Sequence, residues 1–211
     1  MPHAVLLGDS VFDNSSYTHG GPDVVTQLRA LLPSSWDTSL GAVDGHTTLE
    51  IRRQVAGLPA AATHLALSVG GNDALRCMPV LDAPMKDGRQ ALTMLGAVVA
   101  QFERQYVSAL EECIKPGLPL VVCTIYNGCF DDAPFQRVAT TFVALFNDVI
   151  LRTASKHALP VVDLRAVCSE PGDYANPIEP SSAGGEKIAR ALAAVLSGDG
   201  LRTAATRVTL A

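Results

Sequence analysis

Three positions could do chemistry if the chain brings them together: Ser10, Gly45 and Asn72. Ser10 closes the run Gly8-Asp9-Ser10, directly after the apolar residues 4–7. A short aliphatic run that stops at glycine and continues into polar residues reads as a buried parallel strand. Such a strand delivers a side chain to the carboxyl edge of the sheet, where open α/β sheets place their ligands. Ser10 is therefore placed like a nucleophile, although the same tripeptide also serves as a plain turn. Asn72 follows the apolar run 64–69 and the pair Gly70-Gly71. Its amide N–H would stabilise a developing oxyanion, and Asn72-Asp73 reads equally as a helix cap. Gly45 lies in Asp44-Gly45-His46-Thr47-Thr48, at a strand-to-helix junction where backbone N–H groups can face a ligand, though most such glycines only turn the chain.

The elements that must position these residues alternate along the chain. Strands are expected near 4–7, 38–43, 64–69, 120–125 and 161–164. Helices are expected from Pro22-Asp23, over 49–58, 88–115 and 134–157, and from Ser181-Ser182 through Val195. The apolar stripes of the two long helices, with Phe102 and Tyr106 in one and Phe142 and Val149 in the other, are core. Parallel strands need helical crossovers, so the alternation argues a doubly wound parallel sheet of about five strands in one domain spanning 1–211. The tail from Leu201 carries no functional reading.

Composition narrows the function classes. With 48% hydrophobic and 18% charged residues, 211 residues can bury a sizeable core. The net charge is −5, and no cluster of Lys and Arg with interleaved aromatics is present, which argues against nucleic acid as a partner. The N-terminal apolar segment is too short for a membrane span or a signal-peptide core. Five cysteines, odd in number and without CxxC pairing, indicate neither a disulfide framework nor a zinc site and suit a reducing cytoplasm. No metal is expected. The first loop lacks the glycine spacing of phosphate-binding fingerprints, so no nucleotide cofactor is expected either.

The run GDSVFDNSSY, residues 8–17, resembles the first block of the SGNH (GDSL-type) serine hydrolases, and two further blocks of that family follow in order, around Gly45 and around Asn72. The resemblance implies a flavodoxin-like three-layer α/β/α sandwich with Ser10 as nucleophile. It also implies an oxyanion hole made by the Ser10 N–H, the Gly45 N–H and the Asn72 side chain, and a small-molecule ester or acyl group as substrate. In its last block the family has Asp, two residues, then His and Pro. Here the segment reads NPIEP, which places Asn176 at the aspartate and Glu179 at the histidine.

Glu179 is then the candidate base. Its unperturbed pKa of roughly 4.3 is too low for drawing a proton from a hydroxyl efficiently, and burial between Pro177 and Pro180 would raise it. Serine peptidases of the sedolisin type are similar in pairing glutamate with serine. Asn176 would orient Glu179 through its amide N–H; Asp173 suits that role less because of its like charge. Two alternatives stand beside this reading. His46 or His19, on loops at the carboxyl edge, could replace the missing base, whereas His3, His64 and His157 fall at the amino edge. Alternatively Glu179 is a solvated carboxylate near a helix N-terminus, and the protein is a non-catalytic relative that binds an acylated small molecule or a protein partner. Cys129 lacks an adjacent histidine to activate it as a nucleophile.

Overall fold

The computed structural model describes residues 1–198 and the backbone of Val208 and Thr209. Five strands, β1 (His3–Gly8), β2 (Asp37–Leu40), β3 (His64–Ser68), β4 (Leu120–Cys123) and β5 (Val161–Val162), form a parallel sheet in the order β2-β1-β3-β4-β5. Its sheet is wider than the expected five strands by one short pair, Val208–Thr209, which lies parallel to Val161–Val162 at the open edge. Two residues are too few to make a periodic signal, so only pairing with β5 reveals them.

Strand period two sorts the apolar residues into two cores. Ala4 and Leu6 of β1 face one side of the sheet, with Val24 and Leu28 of α1 (Val24–Leu31) and Ile188 and Leu192 of α7 (Ser182–Leu196). Val5 and Leu7 face the other side, with Phe102 and Leu110 of α4 (Gly88–Ile114) and Phe146 and Ile150 of α5 (Ala133–Lys156). Helices therefore cover both faces, as a parallel sheet without an aqueous face requires. The caps are those the sequence signals: Asp23 accepts from the Thr26 N–H, Asp87 from Gln90 and Ser181 from Gly184.

Three connections differ from the sequence reading. Residues 48–58 form a single 3-10 turn, Thr48–Glu50, and a short α2 (Ile51–Ala56), with Thr47 and Glu50 closing a capping box. The segment after Gly70 is a helix, α3 (Gly71–Cys77), continued by a 3-10 turn over Met78–Asp82. Leu164, expected at the end of β5, instead opens the four-residue α6 (Leu164–Val167), because Asp163 caps the Arg165 N–H. The proline-containing stretch before α7 is a small antiparallel hairpin of β6 (Tyr174–Asn176) and β7 (Glu179–Pro180). Its register sets Asn176 opposite Glu179.

The sheet fixes where the chain can turn at its carboxyl edge. Gly8 ends β1 at φ +133, beside Ser68 at the end of β3, and a Cβ there would meet the Ser68 carbonyl oxygen at 1.7 Å. Only glycine permits this approach. The chain then turns sharply, so the residue two places on stands over the strand ends.

Candidate active site

Ser10 is buried, with only 6% of its surface exposed, in a turn braced by its neighbours. The Asp9 N–H donates to the Ser68 carbonyl at 3.2 Å, the Val11 N–H donates to Asp9 Oδ1 at 3.1 Å, and Phe12 donates to the Asp9 carbonyl. Beneath the turn, the Gln54 carboxamide from α2 accepts from the Gly8 N–H and donates to the Gly8 carbonyl. The backbone in front of Ser10 is thus tied to two strands and a helix.

Glu179 reaches the same place from the hairpin and is 93% buried, with 7% of its surface exposed. The Ser10 hydroxyl stands close enough to draw the carboxyl pKa down, while Oε2 is buried without a hydrogen-bond partner among the described residues. Several polar groups hold the peptide that carries it. Asn176 Oδ1 accepts from the Ile178 and Glu179 N–H groups, each at 3.0 Å. The Tyr126 hydroxyl donates to the Ile178 carbonyl at 2.6 Å, Cys129 N–H donates to the Pro177 carbonyl, and the fully buried Asn14 donates to the Pro180 carbonyl. The expected role of Asn176 therefore changes in its chemistry. Its oxygen grips the turn backbone, because residues facing each other across a two-residue connection are close enough for a side-chain cap of the tight turn.

Burial governs the charges. Removal from water pushes the Glu179 carboxyl up to about 7; the Ser10 hydroxyl pulls it back and Asp44 adds to the rise. Asp9 is pushed up to about 8, again mainly by burial, with the Val11 N–H opposing and Glu179, Asp73 and Asp44 reinforcing. Asp73 is also raised by burial, opposed by its bonds from Thr48 and by Arg76. Near neutral pH the Glu179 carboxyl is thus poised between its two states, where a general base transfers protons most effectively.

Asn72 stands in the first turn of α3 beside Ser10, lining the same cavity. The helix is capped by Gly70 at φ +128, not by Asn72 or Asp73. One Asn72 amide hydrogen goes to the His46 carbonyl at 2.9 Å, which ties the loop carrying Gly45 to the start of α3. Asp73 strengthens the same junction by accepting from the Thr48 N–H and hydroxyl, the latter at 2.6 Å. Gly45 itself is exposed at φ +79 and is not among the cavity-lining residues.

The histidines lie apart from this cavity. His46 Nδ1 is 2.9 Å from Gln54 Nε2; that amide can only donate, so the ring nitrogen facing it is an acceptor already engaged. His19 is exposed at φ 51. His3 and His64 open β1 and β3 at the amino edge, as expected, where His3 meets Ser39 and His64 lies against Trp36, ring centroids 4.6 Å apart. His157 caps the C-terminal end of α5. Asp173, read as the less suitable orienter, is committed elsewhere, its buried carboxylate paired with the partly exposed Lys187 at 2.7 Å. Cys129 lies on the loop bonded to Pro177, and all five cysteines are free thiols.

The cavity over Ser10 and Glu179 is walled by Val69, Leu75, Met78, Ile125, Phe130 and Phe142, side chains of the β3–α3 and β4–α5 connections, of α3 and the 3-10 turn after it, and of α5. Its walls are mostly apolar, and Asp9, Ser10, Asn72, Asn127 and Glu179 also line it. Among the described residues no three His, Cys, Asp or Glu side chains are grouped to hold a metal ion. No helix among those residues is long and apolar enough to cross a membrane. Sequence reasoning missed Asn14, Gln54, Asp73 and Tyr126. Asn14 at least lies within the 8–17 run that singled out Ser10, whereas the others act on partners 25 to 52 positions away.

Comparison with known proteins agrees with this fold. Residues 6–187 match the model of the GDSL-like Lipase/Acylhydrolase family. Among solved structures the chain is similar to a phospholipase A1 from Streptomyces albidoflavus NA297, at 16% identity over 88% of this chain and 95% of that one, TM-score 0.66. It is also similar to a lipase from a goat rumen metagenome, at 18% identity over 92% and 97%, TM-score 0.69. A lipase/acylhydrolase from Enterococcus faecalis is 19% identical over 92% and 96%, TM-score 0.61. At these identities the likeness is one of fold. No curated protein sequence matches the chain.

Proposed function

Because this chain belongs to the GDSL-like lipase/acylhydrolase family, we propose that it is a serine esterase of small esters or acyl groups in which Glu179 does the work of the missing histidine. The burial of Ser10 and Glu179 together in the lining of one cavity, close enough for the hydroxyl to act on the carboxyl, carries this reading. Ser10 Oγ attacks the ester carbonyl carbon as its proton passes to Glu179. The carbonyl oxygen becomes an oxyanion beside the Ser10 N–H and the Asn72 side chain, whereas Gly45, expected as a third donor, lies outside the cavity lining. Collapse breaks the bond to the alcohol, which leaves with the proton from Glu179. Water then gives its proton to Glu179 and attacks the acyl-enzyme, releasing the acid and returning the proton to Ser10. The free thiols suit a reducing compartment such as the cytoplasm.

A fluorophosphonate probe and p-nitrophenyl acetate hydrolysis test the assignment on the wild type, Ser10→Ala, Glu179→Gln and His46→Ala. Labelling and turnover that vanish in the first two variants and persist in the third support it. Loss in His46→Ala would move the base to that histidine. No labelling of the wild type, with no turnover, would make the pocket a binding site for an acylated molecule or a protein partner.

A further inference from the structure

With Gly45 outside the cavity, another polar group stands in its lining beside Ser10 and Asn72. Asp9 reaches the cavity from the turn directly before Ser10 and is only 2% exposed. Its Oδ1 accepts from the Val11 N–H at 3.1 Å, and no further hydrogen bond engages the carboxyl among the described residues. The remaining oxygen, Oδ2, lies by the start of α3. A Cβ built on Gly71, which also lines the cavity and directly precedes Asn72, would stand 3.9 Å from it.

The surroundings of Asp9 decide its charge. Glu179 of the hairpin, Asp73 of α3 and Asp44 of the loop after β2 all act on it as like charges, and among the described residues it joins no ion pair. Cys123 of β4 and Tyr126 beyond it, on which Asp9 acts in turn, are kept neutral by burial. A buried carboxyl without a cation keeps its proton, and burial accordingly pushes Asp9 up to about 8. Because Oδ1 is occupied by an N–H, the proton sits on Oδ2. The same cavity holds a second unmet polar atom, Glu179 Oε2, buried and without a hydrogen-bond partner among the described residues. Open polar atoms in a buried lining call for polar atoms from a ligand.

Resting on the serine-esterase reading, we infer that Asp9, as a neutral acid, is a further catalytic residue whose Oδ2–H donates a hydrogen bond to the ester carbonyl oxygen as that oxygen becomes the oxyanion on Ser10. The proton stays on Asp9 throughout. A carboxylic acid held neutral in an apolar site is a strong donor, whereas its ionised form would offer no hydrogen and would repel the developing charge. Asp9 and Glu179 thus work in opposite protonation states, one as donor and the other as base.

Hydrolysis of p-nitrophenyl acetate by the wild type, Asp9→Asn and Asp9→Ala, followed from roughly pH 5 to 9.5 with circular dichroism confirming the fold, tests the assignment. Beyond the plateau set by Glu179, wild-type kcat/KM should fall again as pH rises through about 8. Asp9→Asn keeps a donor that cannot ionise, so it should retain most of kcat and lack that falling limb. Asp9→Ala should lose about 10²-fold in kcat with little change in KM. A limb that persists in Asp9→Asn, no limb in the folded wild type, or an Asp9→Asn as impaired as Asp9→Ala overturns the inference. If Asp9→Ala does not fold, the wild-type and Asp9→Asn profiles decide alone. Should the limb be missing while a fluorophosphonate still labels Ser10, the esterase reading survives without this role for Asp9. Absence of both labelling and turnover in the wild type fails the esterase reading and takes this inference with it.

Discussion

The Gln54 carboxamide grips the Gly8 peptide group at both ends, accepting from its N–H at 2.8 Å and donating to its carbonyl at 2.7 Å. Its remaining amide hydrogen points to His46 Nδ1 at 2.9 Å. One side chain of α2 therefore holds the backbone that precedes Ser10 and the loop that carries Gly45. In Gln54→Leu the buried Gly8 N–H loses its partner, while the Gly8 carbonyl keeps the Val43 N–H. The expected cost is about 1–3 kcal/mol in urea unfolding, with esterase activity falling roughly tenfold as Ser10 loses its placement. Loss of stability without loss of activity would show that the clamp serves the fold alone.

Activity should follow the ionisation of Glu179. With the carboxyl pushed up to about 7, the base is protonated and idle in acid, so kcat/KM rises with pH and levels off above neutrality. Glu179→Gln should lower kcat by about 10²–10⁴-fold and abolish that limb of the profile. A profile that rises near 4.5, the ordinary glutamate range, would mean that the carboxylate is solvated during the reaction.

Asp9 ties stability to pH. Its folded value of about 8 lies above its ordinary 3.8, so the native state holds the proton more tightly than the unfolded chain does. The stabilisation is complete below about pH 4 and is lost as pH rises through about 8. Glu179 acts in the same direction, between 4.5 and about 7. Unfolding free energy measured from about pH 5 to 9 should therefore fall by on the order of a few kcal/mol. Asp9→Asn, which keeps the acceptor for the Val11 N–H, should flatten that dependence.

The Asn176 oxygen, rather than its nitrogen, grips the turn before Glu179. Asn176→Asp keeps that acceptor and should retain most of the wild-type kcat/KM, whereas Asn176→Ala, losing two accepted bonds, should lose about tenfold. Equal damage in both variants would return the role to the amide N–H.

Local patterning by itself determined the architecture and the address of the site. The aliphatic runs ending at Gly8 and Gly70 mark β1 and β3, their period-two faces separate the two cores, and the residues just beyond them must stand at the carboxyl edge. That is enough to bring Ser10 and Asn72 to one cavity, because both depend only on where a strand stops. The resemblance of NPIEP to the last block of the family, not local patterning, singled out Asn176 and Glu179, and it left their chemistry open. Only the tertiary structure decided that Glu179 is buried against Ser10, that Asn176 binds backbone through its oxygen, and that His46 is held by Gln54 away from the cavity. Those outcomes depend on partners far apart in the chain, such as Tyr126 with Ile178 and Asn14 with Pro180. Desolvation, which moves Asp9 and Glu179 so far, is likewise a sum over surrounding atoms that no local pattern contains.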